Sequence, residues 1–462
     1  MRHRSGRLVR LAALVTTLGL VGSGCTVAVQ GQPRAARVVT RESSSTGVIR
    51  GTDGGQIDQL AGTALADIDR FWTESFPTTF GKQWTPLSGG IFSVDTADAT
   101  AKPPPCTEKA SNVEGNAFYC PSADAIAYDR AALLPVLQSR FGDAAVVIVL
   151  AHEMGHAVQR RMGITPEAER REPQKYPTIL TEAMADCFAG SFTKWVTDRK
   201  SKSLDIGQDA LDSALGALIT FRDPVGTSPS DQSAHGNAFD RVSAFQDGFQ
   251  QGAKFCAAMT VDNRIFTQSS FTSTADRDRG GNLPFNEMIT QVTPDLNGYY
   301  QGVVTALGKT WVPPKSTPVN AEPSCSGDQG PVAFCPTDKS VEIDVKDQLP
   351  KLHAQIGDYA TGVLLASRYG LAALSTVGKK IEGTDAGRNA LCMAGAYTGV
   401  VLARKNGFGL SPGDMDEAVQ VLLASNFSTR DAKGKSGLEP GFARVEVFRK
   451  GVFEGDKSCG IR

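Results

Sequence analysis

Apolar residues in this chain follow two kinds of spacing. Ile57, Leu60, Ala64, Leu65, Ile68 and Trp72 recur at helical intervals. Asp143 to Met162 predicts a strong helix: an acidic start, a run from Ala144 to Ala151, then His152-Glu153-Met154-Gly155-His156. Thr181 to Trp195 and Phe239 to Phe255 predict two more helices. Between these, Phe80 to Val94 alternates aromatic and β-favouring residues with turn residues, which predicts short strands. Ala117 to Asp129 predicts a hairpin or edge strand around Phe118-Tyr119-Cys120-Pro121 and Ile126-Ala127-Tyr128. The expected class is α+β, mostly helical with a small sheet.

The pattern occurs twice. Gly81-Lys82-Gln83-Trp84-Thr85-Pro86 recurs as Gly308-Lys309-Thr310-Trp311-Val312-Pro313. Ala117-Phe118-Tyr119-Cys120-Pro121 recurs as Val332-Ala333-Phe334-Cys335-Pro336, and Tyr128-Asp129 as Ile343-Asp344. The helix opened by Gly142-Asp143 answers to one opened by Gly357-Asp358. Cys187-Phe188-Ala189-Gly190 matches Cys392-Met393-Ala394-Gly395, and Arg241-Val242 to Cys256 matches Arg444-Val445 to Cys459. Weak matches in one constant order predict tandem copies of one domain, over 56–262 and 284–462. Residues 263–283, polar and rich in Gly, Ser and Asp, read as the linker.

Composition narrows the context. The 462 residues carry a formal charge of −1, and nothing suggests the basic face that nucleic acid requires. Arg2, Arg4, Arg7 and Arg10 precede an apolar stretch, Leu11 to Val21, too short to span a bilayer well. Gly22-Ser23-Gly24 and Cys25 follow, so residues 1–24 resemble a bacterial lipoprotein signal, with Cys25 as the lipidated residue. The expectation is an exported chain, lipid-anchored on the outer face of the cell membrane, with 25–55 as a flexible tether. Eight further cysteines suit an oxidising compartment. The simplest pairing that satisfies both halves is Cys106–Cys120, Cys187–Cys256, Cys325–Cys335 and Cys392–Cys459.

With only five histidines in the chain, His152 and His156 stand out. Four residues apart on a helix, they project from one face and can share a metal ion. Zn²⁺ suits neutral imidazole. Glu153, beside a ligand, can take a proton from a water that the metal has made acidic. A catalytic zinc wants a third protein ligand. The compact pattern with a third histidine needs glycine at Gln159 and histidine at Met162, and neither is there. Glu182 is the better candidate, and Asp186, one turn on, can accept the N–H of a ligand histidine. The competing reading of both carboxylates, a solvated helix face, conflicts with the apolar Ala183, Met184, Ala185, Phe188 and Ala189 around them.

These residues resemble a family, the bacterial neutral zinc metallopeptidases, zincins of the glutamate-ligand type. The resemblance rests on Phe118-Tyr119-Cys120-Pro121, His152 to Gln159, Glu182 with Ala185 to Gly190, and His235-Gly236 with Arg241-Val242, Phe245 and Gly248-Phe249. It implies a zincin-like fold, Zn²⁺, Glu153 as base and Glu182 as third ligand. It also implies a sheet edge, Ala125 to Asp129, that pairs with an extended peptide or protein substrate.

His235, in the loop Ala234-His235-Gly236-Asn237, is a candidate oxyanion donor, the alternatives being a capping or loop histidine or a donor tyrosine, Tyr128 or Tyr176. In the second half, His152 to His156 aligns with Ser367-Arg368-Tyr369-Gly370-Leu371, Glu182 with Gly387, Asp186 with Leu391 and His235 with Leu438. That copy is expected to lack the active site and to pack on the first half, shape its cleft or bind a protein partner. Two readings stay open: a zinc-dependent peptidase, and a lipid-anchored binding or scaffolding protein with a structural or vestigial zinc site.

Overall fold

The computed structural model describes residue 38 and residues 48–231, 234–325 and 327–462. The signal segment 1–24, Cys25 and most of the tether lie outside the described residues. The first half opens with β1 (Ile49–Arg50), α1 (Gln56–Phe80), β2 (Gly90–Val94), β3 (Ala117–Cys120) and β4 (Ala125–Asp129). It continues with α2 (Leu133–Phe141), α3 (Asp143–Met162), α4 (Pro166–Arg171), α5 (Thr178–Thr197), α6 (Gln208–Thr220), α7 (Ala238–Gln251) and α8 (Ala253–Ala257). The second half holds α9 (Thr274–Asp278), α10 (Phe285–Ala306), β5 (Lys315–Val319), β6 (Val332–Cys335) and β7 (Ser340–Asp344). It ends with α11 (Gln348–Ile356), α12 (Asp358–Thr376), α13 (Thr384–Leu402), α14 (Asp414–Ala424) and α15 (Gly441–Glu454). The class is α+β, mostly helical with two small sheets.

α3 has the bounds its pattern predicts. Asp143 occupies its first turn and Arg160 and Arg161 its last, which suits the helix dipole. From Ala144 to Gln159 only Val149 and His156 escape full burial, so α3 is a core helix. It packs between α1, α5 and α6. The expected helix over 239–255 is instead two, because Gly252 stands at φ +78° between α7 and α8.

The first sheet has the order β1-β2-β4-β3. β2 runs parallel to β1 and β4, and β3 runs antiparallel to β4, with Ala117 opposite Tyr128. This corrects two expectations. Ala125 to Asp129 is not an edge: β4 pairs on both sides and all five of its residues are buried. The edge is β3. The tether also ends before residue 55, since Ile49 is buried and joins the sheet through β1. In the second sheet, order β5-β7-β6, β5 is parallel and β6 antiparallel to β7, and Val332 stands opposite Ile343.

Equivalent aspartates shape both halves. Asp129 accepts the N–H groups of Ala131, Ala132 and Leu133 ahead of α2, and Asp344 those of Lys346, Asp347 and Gln348 ahead of α11. The disulfides are Cys106–Cys120, Cys187–Cys256, Cys325–Cys335 and Cys392–Cys459, as the repeated spacing predicts. Each closes a loop within one half.

The halves share one continuous core. α6 and α7 meet α14 and α15 across a reciprocal interface. Asp212 on α6 accepts from the N–H groups of Gly441 and Phe442 and so caps α15. Asp416 on α14 accepts from the Phe239 N–H at the start of α7 and pairs with Arg222 at 2.7 Å. The expected linker is tied down: the Thr267 and Gln268 N–H groups donate to buried Asp240, and Asp276 accepts from the Ser411 hydroxyl. Among the described residues no helix is long and apolar enough to cross a membrane.

Candidate active site

The site is made where α3 crosses α5. Gly155 faces Ala185 there, and a Cβ at 155 would stand 2.9 Å from the Ala185 Cα. Glycine allows the close approach, which brings one face of each helix into register. His152 Nε2 lies 3.2 Å from one Glu182 oxygen and His156 Nε2 lies 3.5 Å from the other. The three ligand atoms fall within 4.8 Å of one another.

The surrounding groups orient this cluster. His152 Nδ1 sits 2.8 Å from Asp186 Oδ1. With Asp186 accepting at Nδ1, the Nε2 lone pair is left facing Glu182. Asp186 is itself gripped by Arg241, whose Nε and Nη2 both donate at 2.9 Å. Burial alone would push the Asp186 carboxyl up, but Arg241 and His152 outweigh it and hold the group below the usual carboxylate range. His156 Nδ1 meets the Gln159 amide oxygen at 3.1 Å, and the amide nitrogen of Gln159 donates to the Thr181 carbonyl. One side chain thus orients a histidine on α3 and ties α3 to α5.

Glu153 is buried and reaches β3, where its Oε2 accepts the Tyr119 N–H at 2.9 Å. Burial lifts its carboxyl above the ordinary value, against the pull of the two histidines. His235 lies at the rim with half its side chain exposed, its Nδ1 3.4 Å from Asp223. Asp223 also accepts the N–H groups of His235 and Gly236, so the loop is fixed. The Asp223 contact raises the His235 pKa. Tyr128 spends its hydroxyl on Asp58 at 2.6 Å and does not line the cleft, whereas Tyr176 is half-buried against the core.

Together these groups line a cleft of about 500 Å³. β3 forms one wall, Leu133, Val149, Leu218 and Phe221 an apolar wall, and the histidines and Glu182 the polar floor. Two imidazoles and a carboxylate are the donor set that zinc accepts. Glu182 Oε2 is buried with no hydrogen-bond donor, as a ligand oxygen awaiting a cation would be. The residues present fit a zinc ion.

A family model described as "Putative neutral zinc metallopeptidase" matches residues 3–259, more than half of the chain. The chain belongs to that family. Relatives include the uncharacterized protein Rv2575 of Mycobacterium tuberculosis (strain ATCC 25618 / H37Rv), 30% identical over 152 residues, or 29% of this chain and 52% of the relative. The uncharacterized protein YpfJ of Escherichia coli (strain K12) is 30% identical over 148 residues, 29% of this chain and 50% of the relative. The chain therefore spans about half the length of the curated relatives it matches. No solved structure matches.

The zinc metallopeptidase match stops at residue 259, so the second half lies beyond it. There Arg368, which the sequence comparison of the halves sets against Glu153, is fully buried. Its Nη1 donates to Gln329 Oε1 at 2.9 Å and the Arg430 carbonyl at 2.8 Å, and its Nη2 to the Phe427 carbonyl at 2.8 Å. Gln329 Oε1 in turn accepts the Phe334 N–H at 3.1 Å, as Glu153 accepts that of Tyr119. Gly387, in the place of Glu182, faces the Thr429 carbonyl so closely that a Cβ would stand 1.8 Å from it. The second half closes over the space that is a cleft in the first. Arg241 and Gln159 are the zinc-metallopeptidase residues whose roles sequence reasoning missed. The i, i+3 spacing of His156 and Gln159 was a signal; nothing local linked Arg241 to Asp186.

Proposed function

We propose that this chain is a zinc-dependent peptidase that hydrolyses peptide bonds with Glu153 as general base. What carries the reading is the convergence of His152, His156 and Glu182 on one point, beside a Glu153 carboxylate held by a backbone N–H of β3. His152, His156 and Glu182 would be the protein ligands, with a fourth position left open. Zinc bound there would polarise the scissile carbonyl and make water acidic near neutral pH. Glu153 would take the proton from the attacking water and deliver it to the leaving amine. Its burial supports this, because a raised carboxyl pKa brings the base closer to its task. Asp186, steadied by Arg241, would keep Nε2 of His152 free as a ligand. His235 would donate to the developing oxyanion, supported by its place at the rim and the Asp223 contact that favours its protonated form. An extended peptide would add to the free edge of β3 rather than to β4.

The same reading takes 284–462 as a tandem, non-catalytic copy of the zincin-like domain. Matching strand pairing, aspartate turns and disulfides support it. Its work would be to brace the first half, shape the cleft or engage a protein partner. With the signal pattern at 1–24, the chain would be exported and anchored to the membrane by lipid on Cys25, an actinobacterial lipoprotein peptidase of the LpqM kind.

The test is zinc content and cleavage of a peptide mixture on one preparation. Wild type should hold one zinc and cleave; Glu153→Gln should hold the same zinc and lose about 10²–10⁴-fold in turnover. His235→Ala should keep zinc and slow cleavage; lost zinc would make it a ligand instead. A wild type that cleaves nothing would leave a binding or scaffolding protein with a structural zinc.

A further inference from the structure

A second cluster of metal-ligating groups lies in the half that lacks the active site. Asp358 opens α12, and Asp414 and Glu417 sit in the first turn of α14. One side-chain oxygen from each falls within 4.8 Å of the other two. All three residues are more than nine-tenths buried, at 2%, 3% and 6% exposure.

Acidic residues at helix starts have an ordinary use, capping backbone N–H groups. That use takes one oxygen from each. Asp358 Oδ2 accepts the Leu283 N–H at 2.6 Å, Asp414 Oδ2 the Ser411 N–H at 2.8 Å, and Glu417 Oε2 the Tyr359 N–H at 2.8 Å. The other oxygens remain to be explained. Asp358 Oδ1 and Asp414 Oδ1 are buried and meet no N–H or hydroxyl donor; what faces Asp358 is the carboxyl of Glu417. Arg222, the nearby cation, pairs with Asp416 instead.

The first half shows what capping alone looks like. Asp143, in the place of Asp358, has both oxygens filled, one by the Val38 N–H and one by the Gln138 amide at 2.9 Å. The first turn of α6 carries one acidic residue, Asp209, whereas that of α14 carries Asp414, Asp416 and Glu417. The surplus carboxylates belong to the second half alone. Three adjacent buried carboxylates need a neutralising charge. Oxygens that all lie within 4.8 Å of one another stand no more than about 2.8 Å from a common point, so a small inward shift brings all three to the calcium–oxygen range of about 2.3–2.6 Å.

We infer that Asp358, Asp414 and Glu417 form a calcium site that pins α14 and the 276–283 segment to the start of α12. The segment is within reach: the Asn282 side chain accepts the Asp358 N–H at 2.8 Å, and Asp276 accepts from Ser411, which caps onto Asp414. Such a site is structural and independent of the zinc cluster.

The experiment uses the full, zinc-loaded chain at pH 7.5, with calcium chloride as the probe in titration calorimetry and thermal melting. One calcium should bind, and saturating calcium should raise the melting temperature by about 2 °C or more. Asp414→Asn and Glu417→Gln keep the side-chain shape, so they should fold and lose the calcium shift. Magnesium, which wants oxygens at about 2.1 Å in strict octahedral array, should shift the wild type less. The site is overturned if wild type binds no calcium, or prefers magnesium. It is also overturned if Asp414→Asn and Glu417→Gln keep the calcium shift. Zinc content and cleavage are unaffected by either result, so a failure here is distinct from a failure of the peptidase reading.

Discussion

The two halves of the molecule use the same crossing of helices for opposite ends. In the first, α3 meets α5 with Glu182 projecting into a cleft; in the second, α12 meets α13 with Gly387 against the backbone of Thr429. Tyr119 N–H is answered by a carboxylate in one half and Phe334 N–H by a neutral amide in the other. The segment after α14 folds inward and is held by Arg368 through the Phe427 and Arg430 carbonyls. The segment after α6 is held to one side by Asp223, leaving His235 at the rim. In both halves a few side chains at this crossing decide whether its centre is open and polar or closed and self-satisfied. The cost of an open centre is a set of buried charges, and Asp186 with Arg241 shows how it is met: a carboxylate answered by a bidentate guanidinium.

The comparison can be broken most sharply by exchanging Glu182 and Gly387. Glu182→Gly should weaken zinc binding more than about 100-fold, beyond what outer partners of a ligand carry, while leaving the fold intact. Gly387→Glu should leave zinc untouched and destabilise the chain by about 3 kcal/mol or more in denaturant melts, since its side chain would run into Thr429. If Gly387→Glu is tolerated, the second half is an accessible cleft after all. Next in size, Arg368→Met should cost about 1–3 kcal/mol for each buried carbonyl it leaves unpaired, with zinc content and cleavage unchanged. A loss of activity there would mean that the closed half communicates with the open one. The smallest effect on zinc is expected for Asp186→Asn, which should lower zinc affinity about 10–100-fold in competition with a chelator; because it leaves the buried Arg241 guanidinium without its carboxylate, the zinc-free chain should also melt lower.

Much of this arrangement is legible along the chain. The bounds of α3, the pairing of His152 with His156, and Glu182 with Asp186 one turn apart all follow from helical spacing, a local property. The disulfides follow because the repeat offers the same choice twice. The edge of the sheet does not follow. Ala125-Ile126-Ala127-Tyr128 lacks polar alternation, a sign of burial on both faces, but only the parallel partner β2, 35 residues earlier in register, makes β4 interior. β1 was hidden for the same reason: two residues in a polar stretch become a strand only when a sheet is there to receive them.

By itself the sequence determined which side chains could meet on one helix face, because the 3.6-residue turn fixes neighbours three and four positions apart. It therefore determined the zinc-type donor pairs and the half that lacks them. Tertiary structure alone decided what those pairs face. The grip of Arg241 on Asp186, the Tyr119 N–H on Glu153 and the closure of Thr429 over Gly387 join residues 34 to 55 positions apart. Contacts of that range depend on how helices and strands pack, and no local spacing encodes them.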